Sequence, residues 1–228
     1  MPFSHLKIYG KIKRYKEATH MKIYDYIDEK VLKEIVNVLD DDGLIIFPTD
    51  TVYGIACKSF SDKAIQKLFR VKSRGFDNPI NVLTDSISKI NLVVNGINDI
   101  ERELIQRYFP GQLTIIFDKK PGISNLLTAN KPTIGVRIPN YKMALQILAA
   151  CPYPLATTSA NISGEETYTE IDDIVDAFQD KVDIIIDGGK AKSIPSTIVR
   201  VDHDKIRILR KGSLKLCYND IVVKLNKG

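Results

Sequence analysis

Lys72 and Arg74 place two cations one residue apart, just where an amphipathic helical pattern runs out. Far along the chain, Ser159 and Asn161 sit in the polar run TTSANISG (157–164), directly after the apolar Pro154-Leu155-Ala156. Ammonium and guanidinium groups at one edge of a site, with hydroxyls and an amide at another, suit a phosphate-bearing small molecule. They do not suit a metal cage or a nucleophilic triad. Each pair also has a plain structural reading. Cations complement the dipole at a helix C-terminus, and Ser and Asn cap or turn a chain.

A third stretch, Thr133-Ile134-Gly135-Val136-Arg137-Ile138, alternates as a strand does. Ile134, Val136 and Ile138 share one side; Thr133, Gly135 and Arg137 share the other, with the glycine leaving a shallow trough. An arginine on a sheet face either reaches solvent or meets a carboxylate or phosphate. Pro48-Thr49-Asp50-Thr51-Val52-Tyr53-Gly54 breaks two apolar segments with hydroxyls, a carboxylate and a phenol. It reads as a turn or as the wall of a ligand site. There is no G-x-x-x-x-G-K-[ST] and no G-x-G-x-x-G, which removes the P-loop and the dinucleotide fingerprint. Asp187-Gly188-Gly189-Lys190 is expected to close a strand over Ile184–Ile186. No tight carboxylate cluster suggests an all-protein metal site, so any Mg²⁺ is expected to be held mainly by the ligand's phosphates and by water.

The elements that must position these groups follow from periodicity. Val31, Leu32, Ile35, Val36 and Leu39 predict a helix over about 28–41, capped by Asp28. Ser61 or Asp62 caps a second helix with Ala64, Ile65, Leu68 and Phe69 inward. Further helices are predicted near 86–93 and 98–108, over 141–150 with Asn140 as cap, and from a Thr169/Asp172 capping box to about Gln179. Strands are predicted over 44–47, 52–57, 80–83, 113–117, 133–138, 182–186, 197–201 and 205–209. Helices and strands alternate, yet several strands are consecutive, which favours an α/β fold with a twisted, mixed sheet.

The 228 residues suffice for one well-buried domain over 21–228, preceded by a basic extension over 1–20. That extension carries +4 of the net +5, so the basic balance describes a tail rather than a nucleic-acid-binding face. Such a tail can add weak affinity for RNA. Cys57, Cys151 and Cys217 are odd in number and widely spaced, against a disulfide framework and structural zinc. The three are expected to be small buried hydrophobes. No apolar run approaches the roughly 20 residues of a membrane span, and the protein is expected to be cytoplasmic.

Together the stretches PTDTVYG (48–54), KSRGFDNPI (72–80), FPGQLT (109–114), TIGVRIPN (133–140), TTSANISG (157–164), DGG (187–189), PSTIV (195–199) and ILRKG (208–212) resemble the YrdC-like family of L-threonylcarbamoyladenylate synthases, in the family's order. The resemblance implies a YrdC-like α/β fold, its sheet flanked by helices around a large concave face. It implies condensation of L-threonine, bicarbonate and ATP into threonylcarbamoyl-AMP and pyrophosphate, for use by the machinery that transfers the threonylcarbamoyl group to an adenosine of tRNA. By motif position, Thr51, Arg137, Thr157 and Ser196 fall where the family holds threonine. Arg74, Asn78, Thr133, Ser159, Thr167 and Arg210 fall where it holds ATP. Lys72, Arg74 and Asn161 belong to the K-x-R and S-x-N signatures at the reacting centre. Three positions depart from the pattern: Gly75 and Gln112 stand where proline is common, and Leu83 where some members carry a threonine-contacting histidine. The rival readings are a YciO-type paralogue, which lacks S-x-N and the full K-x-R, and an RNA-binding module of the same fold.

Overall fold

The computed structural model describes residues 21–216. The expected basic extension over 1–20 and Cys217 lie outside them. Ten strands form one sheet: β1 (Lys22–Tyr24), β2 (Ile45–Phe47), β3 (Gly54–Lys58), β4 (Asn81–Leu83), β5 (Leu113–Asp118), β6 (Thr133–Arg137), β7 (Leu155–Ser159), β8 (Ile184–Ile186), β9 (Thr197–Asp202) and β10 (Lys205–Arg210). Their spatial order is β1-β8-β2-β3-β7-β4-β6-β5-β9-β10. Parallel pairs (β1/β8, β2/β8, β4/β6, β5/β9) and antiparallel pairs (β2/β3, β3/β7, β4/β7, β5/β6, β9/β10) make it the mixed sheet that the sequence predicts.

Among the described residues, seven helices connect the strands: α1 (Glu29–Asp40), α2 (Asp62–Val71), α3 (Ile87–Ile90), α4 (Asp99–Tyr108), α5 (Asn125–Thr128), α6 (Lys142–Ala150) and α7 (Ile171–Phe178). Asp28 caps α1 by accepting from the Val31 amide, and Ser61 caps α2 by accepting from Ala64. Two caps differ from expectation. Tyr141 rather than Asn140 precedes α6, and Glu170 rather than Thr169 precedes α7, in both cases without a side-chain cap bond. Both helices present an apolar face to the core, and that packing outweighs a missing cap hydrogen bond. Strand β7 is not among the predicted strands. Its Thr157-Thr158-Ser159 end reads as loop by polarity, yet threonine is β-branched and fits a pleated, half-buried surface.

The two faces of the sheet are covered unequally. On one face a continuous apolar cluster joins Ile46, Ile55, Val82, Ile115, Val136 and Val199 to residues of α2, α4 and α7. On the other, α1 and α6 cover only the end formed by Ile45, Phe47, Ala56, Leu155 and Ile184. The rest of that face carries Asn81, Thr114, Gly135 and Arg137, and burying those groups under an apolar helix would strip them of water without replacement. It stays open. Strand twist dishes it into a concavity. Cys57 and Cys151 are buried free thiols, as expected.

Candidate functional site

The alternation of β6 sets the floor. Ile134 and Val136 point into the apolar cluster, while Thr133, Gly135 and Arg137 line the open face. Arg137 is only 5% exposed. Its Nε donates to the Gly111 carbonyl at 2.8 Å, its Nη1 to Thr51 Oγ1 at 2.8 Å and its Nη2 to Asp50 Oδ1 at 2.5 Å. The loop between β2 and β3 therefore delivers both the hydroxyl and the counter-charge. Thr49 stiffens it, with its Oγ1 donating to the Val52 carbonyl at 2.7 Å and lying 3.0 Å from Thr51 Oγ1. Asp50 is not among the expected site residues. A buried arginine demands a carboxylate nearby, and the Pro-Thr-Asp-Thr break carries one between two apolar segments.

The K-x-R element splits into two levels. Helix α2 ends at Val71, Lys72 is its C-cap, and Ser73 takes a left-handed turn (φ 52°) that reverses the chain before Arg74. Lys72 is 1% exposed and lies beneath the floor rather than on the cleft lining. Its Nζ donates to the Ser159 carbonyl, to the Asn161 carbonyl at 2.7 Å and to Asn161 Oδ1 at 3.3 Å. Burial, with the Arg74 charge adding to it, pushes its pKa down to about 7, while those three oxygens favour the ammonium form. Asn161 is also off the lining. Its amide donates to the carbonyls of Ile162 and Glu165, and its Oδ1 accepts from Ser159 Oγ at 2.5 Å. Lys72 and Asn161 thus clamp the turn that presents Ser159.

Arg74 does reach the cleft, steered by bonds to the carbonyls of Asn78 (3.3 Å) and Pro79 (3.0 Å). Asn78 itself is exposed, off the lining, and pairs through its amide with Asp77. On the opposite wall Ser196 Oγ lies 2.8 Å from Thr114 Oγ1, and Arg210 donates to the Ser196 carbonyl at 2.9 and 3.2 Å. Thr51, Thr157, Thr167 and Ser159 complete the ring of hydroxyls. The glycines matter here by absence of side chain. A Cβ on Gly54 would stand 2.8 Å from Thr157 Cγ2, and one on Gly135 would stand 2.1 Å from Asn81 Oδ1.

These walls enclose a cleft of about 570 Å³. Arg74, Lys131, Arg137, Arg200 and Arg210 line it, and no carboxylate does so among the described residues. Asp50 sits behind Arg137, and Arg200 is shared with Asp118 and Asp202 at 3.2 Å each. Five cations against these three carboxylates leave the cleft net positive, in a hollow whose walls limit screening. Such a lining is suited to anions, with many hydroxyls available to orient them. Among the described residues, no group of three or more His, Cys, Asp or Glu is placed to hold a metal ion, and no helix is long and apolar enough to cross a membrane.

Comparison with known proteins meets this geometry from outside. The family model for Sua5, YciO and YrdC proteins, described as telomere recombination, matches residues 37–212. A putative threonylcarbamoyl-AMP synthase of Methanocaldococcus jannaschii is 37% identical over 200 residues, covering 86% of this chain and 94% of that protein. A threonylcarbamoyl-AMP synthase of Pyrococcus abyssi is 28% identical over 197 residues, and there the chain spans 58% of the relative's length. The crystal structure of P. abyssi Sua5 complexed with L-threonine superposes with a TM-score of 0.80 at 28% identity, covering 85% of this chain and 58% of that one. With the family model matching most of the chain, a relative 37% identical along nearly its whole length and the sheet matched, the chain belongs to the Sua5/YciO/YrdC family.

Proposed function

We propose that the chain is an L-threonylcarbamoyl-AMP synthase working in the cytoplasm, and that the cationic cleft is where threonine, bicarbonate and ATP meet. One observation carries the reading: Arg74, Arg137 and Arg210 share a single hollow with a ring of Ser and Thr hydroxyls and no lining carboxylate among the described residues. Two anions, an amino-acid carboxylate and a triphosphate, must lie side by side for this reaction. Only concentrated positive charge offsets their repulsion.

In this reading Arg137, held by Asp50, receives the threonine carboxylate, with Thr51, Thr157 and Ser196 around it. Arg74 and Arg210 receive the phosphates, with Thr133, Ser159 and Thr167 fixing the nucleotide. Asn78 acts at the rim by setting Arg74 through its carbonyl. Lys72 and Asn161 act from beneath, by fixing Ser159. The L-threonine complex of the P. abyssi relative supports the amino-acid half of the site. Mg²⁺ would be held mainly by the triphosphate and water, where it would neutralise phosphate charge.

One proton of the threonine ammonium goes to bicarbonate, which loses water to give CO₂; the freed amine bonds to the carbon of CO₂ and releases a second proton to solvent. The resulting N-carboxylate oxygen attacks the α-phosphorus. An O–P bond forms there as the bond to pyrophosphate breaks, the electron pair leaving with pyrophosphate. The protein's part is alignment and charge stabilisation, which needs no histidine. The product would pass to the machinery that modifies tRNA.

Pyrophosphate release with ATP, threonine and bicarbonate, each omitted in turn, tests the reading. Release should require all three and should be abolished in Arg74→Ala. ATP turnover indifferent to threonine would sink it.

A further inference from the structure

Asn81 lies on the floor of the cleft with its amide unpartnered: no hydrogen bond to that amide is found among the described residues. Asparagine is a poor strand former, and this half-buried side chain opens to the cleft with no protein group taking its hydrogen bonds. Local structure has nonetheless made room for it. It stands directly opposite Thr157 across β4/β7, and on its other side the amide lies over Gly135, where a Cβ would come 2.1 Å from Oδ1 and 2.9 Å from Cγ. Two residues from Gly135 in either direction are Thr133 and Arg137, and two residues beyond Thr157 is Ser159. In the reading above, Thr157 and Arg137 serve threonine while Thr133 and Ser159 serve ATP. Asn81 sits where the two subsites join.

A primary amide offers one acceptor and one donor side by side. The phosphates and the amino-acid carboxylate offer only acceptors, and the threonine ammonium only donors. Hydroxyls of threonine and ribose can do both through one atom, but a donor set beside a carboxylate oxygen is found in bicarbonate, through its O–H, and in the N-carboxylated threonine formed from it, through its N–H. We propose that Asn81 is a substrate-contacting residue that recognises this carbamate, Oδ1 accepting its N–H and Nδ2 donating to one carboxylate oxygen. The second oxygen is left free to attack phosphorus. Leu83, the next residue along the same face, is apolar and offers no competing bond. The adenine edge also carries adjacent donor and acceptor groups, but a ribose separates it from the α-phosphate and so from this junction.

This inference rests on the proposed activity, and one set of assays separates their failures. Steady-state pyrophosphate release is measured for wild type, Asn81→Leu and Asn81→Asp as bicarbonate is varied, with threonine and ATP affinities from calorimetry and folding from thermal melts. Two hydrogen bonds lost at the reacting group correspond to a fall of about 10–100-fold in kcat/KM for bicarbonate. Threonine and ATP dissociation constants should stay within about twofold for Asn81→Leu. Asn81→Asp, nearly the same shape but repelling the carbamate, should fall further. If Asn81→Leu does not fold, Asn81→Asp alone decides. Activity within about threefold of wild type overturns the inference. So does an equal loss of threonine affinity, or lost ATP affinity with tolerance of GTP, which would assign Asn81 to the amino acid or the base. A wild type that releases no pyrophosphate overturns the activity itself.

Discussion

Replacing Asp50 by Asn keeps the shape of the side chain but leaves the Arg137 guanidinium without its counter-charge. The pair is tight, at 2.5 Å, and the two side chains are 7% and 10% exposed. Breaking a buried pair from one side costs about 3–5 kcal/mol, because the remaining charge stays desolvated. Two of the guanidinium bonds survive, to Gly111 and Thr51, and the cleft opens to solvent, so the lower end of that range applies. For a domain of this size about 3 kcal/mol corresponds to a fall of roughly 6–12 °C in Tm. Urea denaturation of Asp50→Asn, Arg137→Met and the double variant, at low and high salt, measures it. Each single variant should lose about 3 kcal/mol. The double should lose clearly less than the sum, since removing both charges leaves none unpaired, and added salt should change little. Single variants within about 1 kcal/mol of wild type, or a double variant equal to the sum, would refute a coupled, desolvated pair.

Lys72 predicts a pH signature. Its pKa falls from 10.5 in the unfolded chain to about 7 on burial. Below about pH 7 both states hold the proton and the burial cost is felt in full; between about 7 and 10 only the unfolded state holds it, so stability rises with pH. The slope is up to about 1.4 kcal/mol per pH unit. Denaturation near pH 7 and near pH 9 should show wild type gaining roughly 2–3 kcal/mol relative to Lys72→Met; parallel pH dependences would reject this account. Gly135→Ala fills the trough. Its new methyl would displace the end of the Asn81 side chain and press on Ile116 Cδ1 at 3.1 Å, so the fold should lose no more than about 1–2 kcal/mol. Pyrophosphate release should drop at least about tenfold, and an unchanged rate in the Gly135→Ala variant would show the trough to be idle.

Local pattern was enough for part of this molecule. The helices over α1, α2 and α4, the two faces of β6, and the strand closed by Asp187-Gly188-Gly189 all follow from periodicity and capping within short windows. The concentration of Arg, Ser and Thr in a few separated stretches points by itself to a site suited to anions. Which of those groups face the cleft was a tertiary matter. Lys72 and Arg74 are two residues apart, yet a left-handed turn at Ser73 sends one beneath the floor and the other into the hollow. Asp50 became the partner of Arg137, and Asn81 found space over Gly135, only because residues far apart in the chain pack on one sheet. Side-chain type sets what a group can do, and long-range packing sets what it meets. No window of sequence contains that second distance.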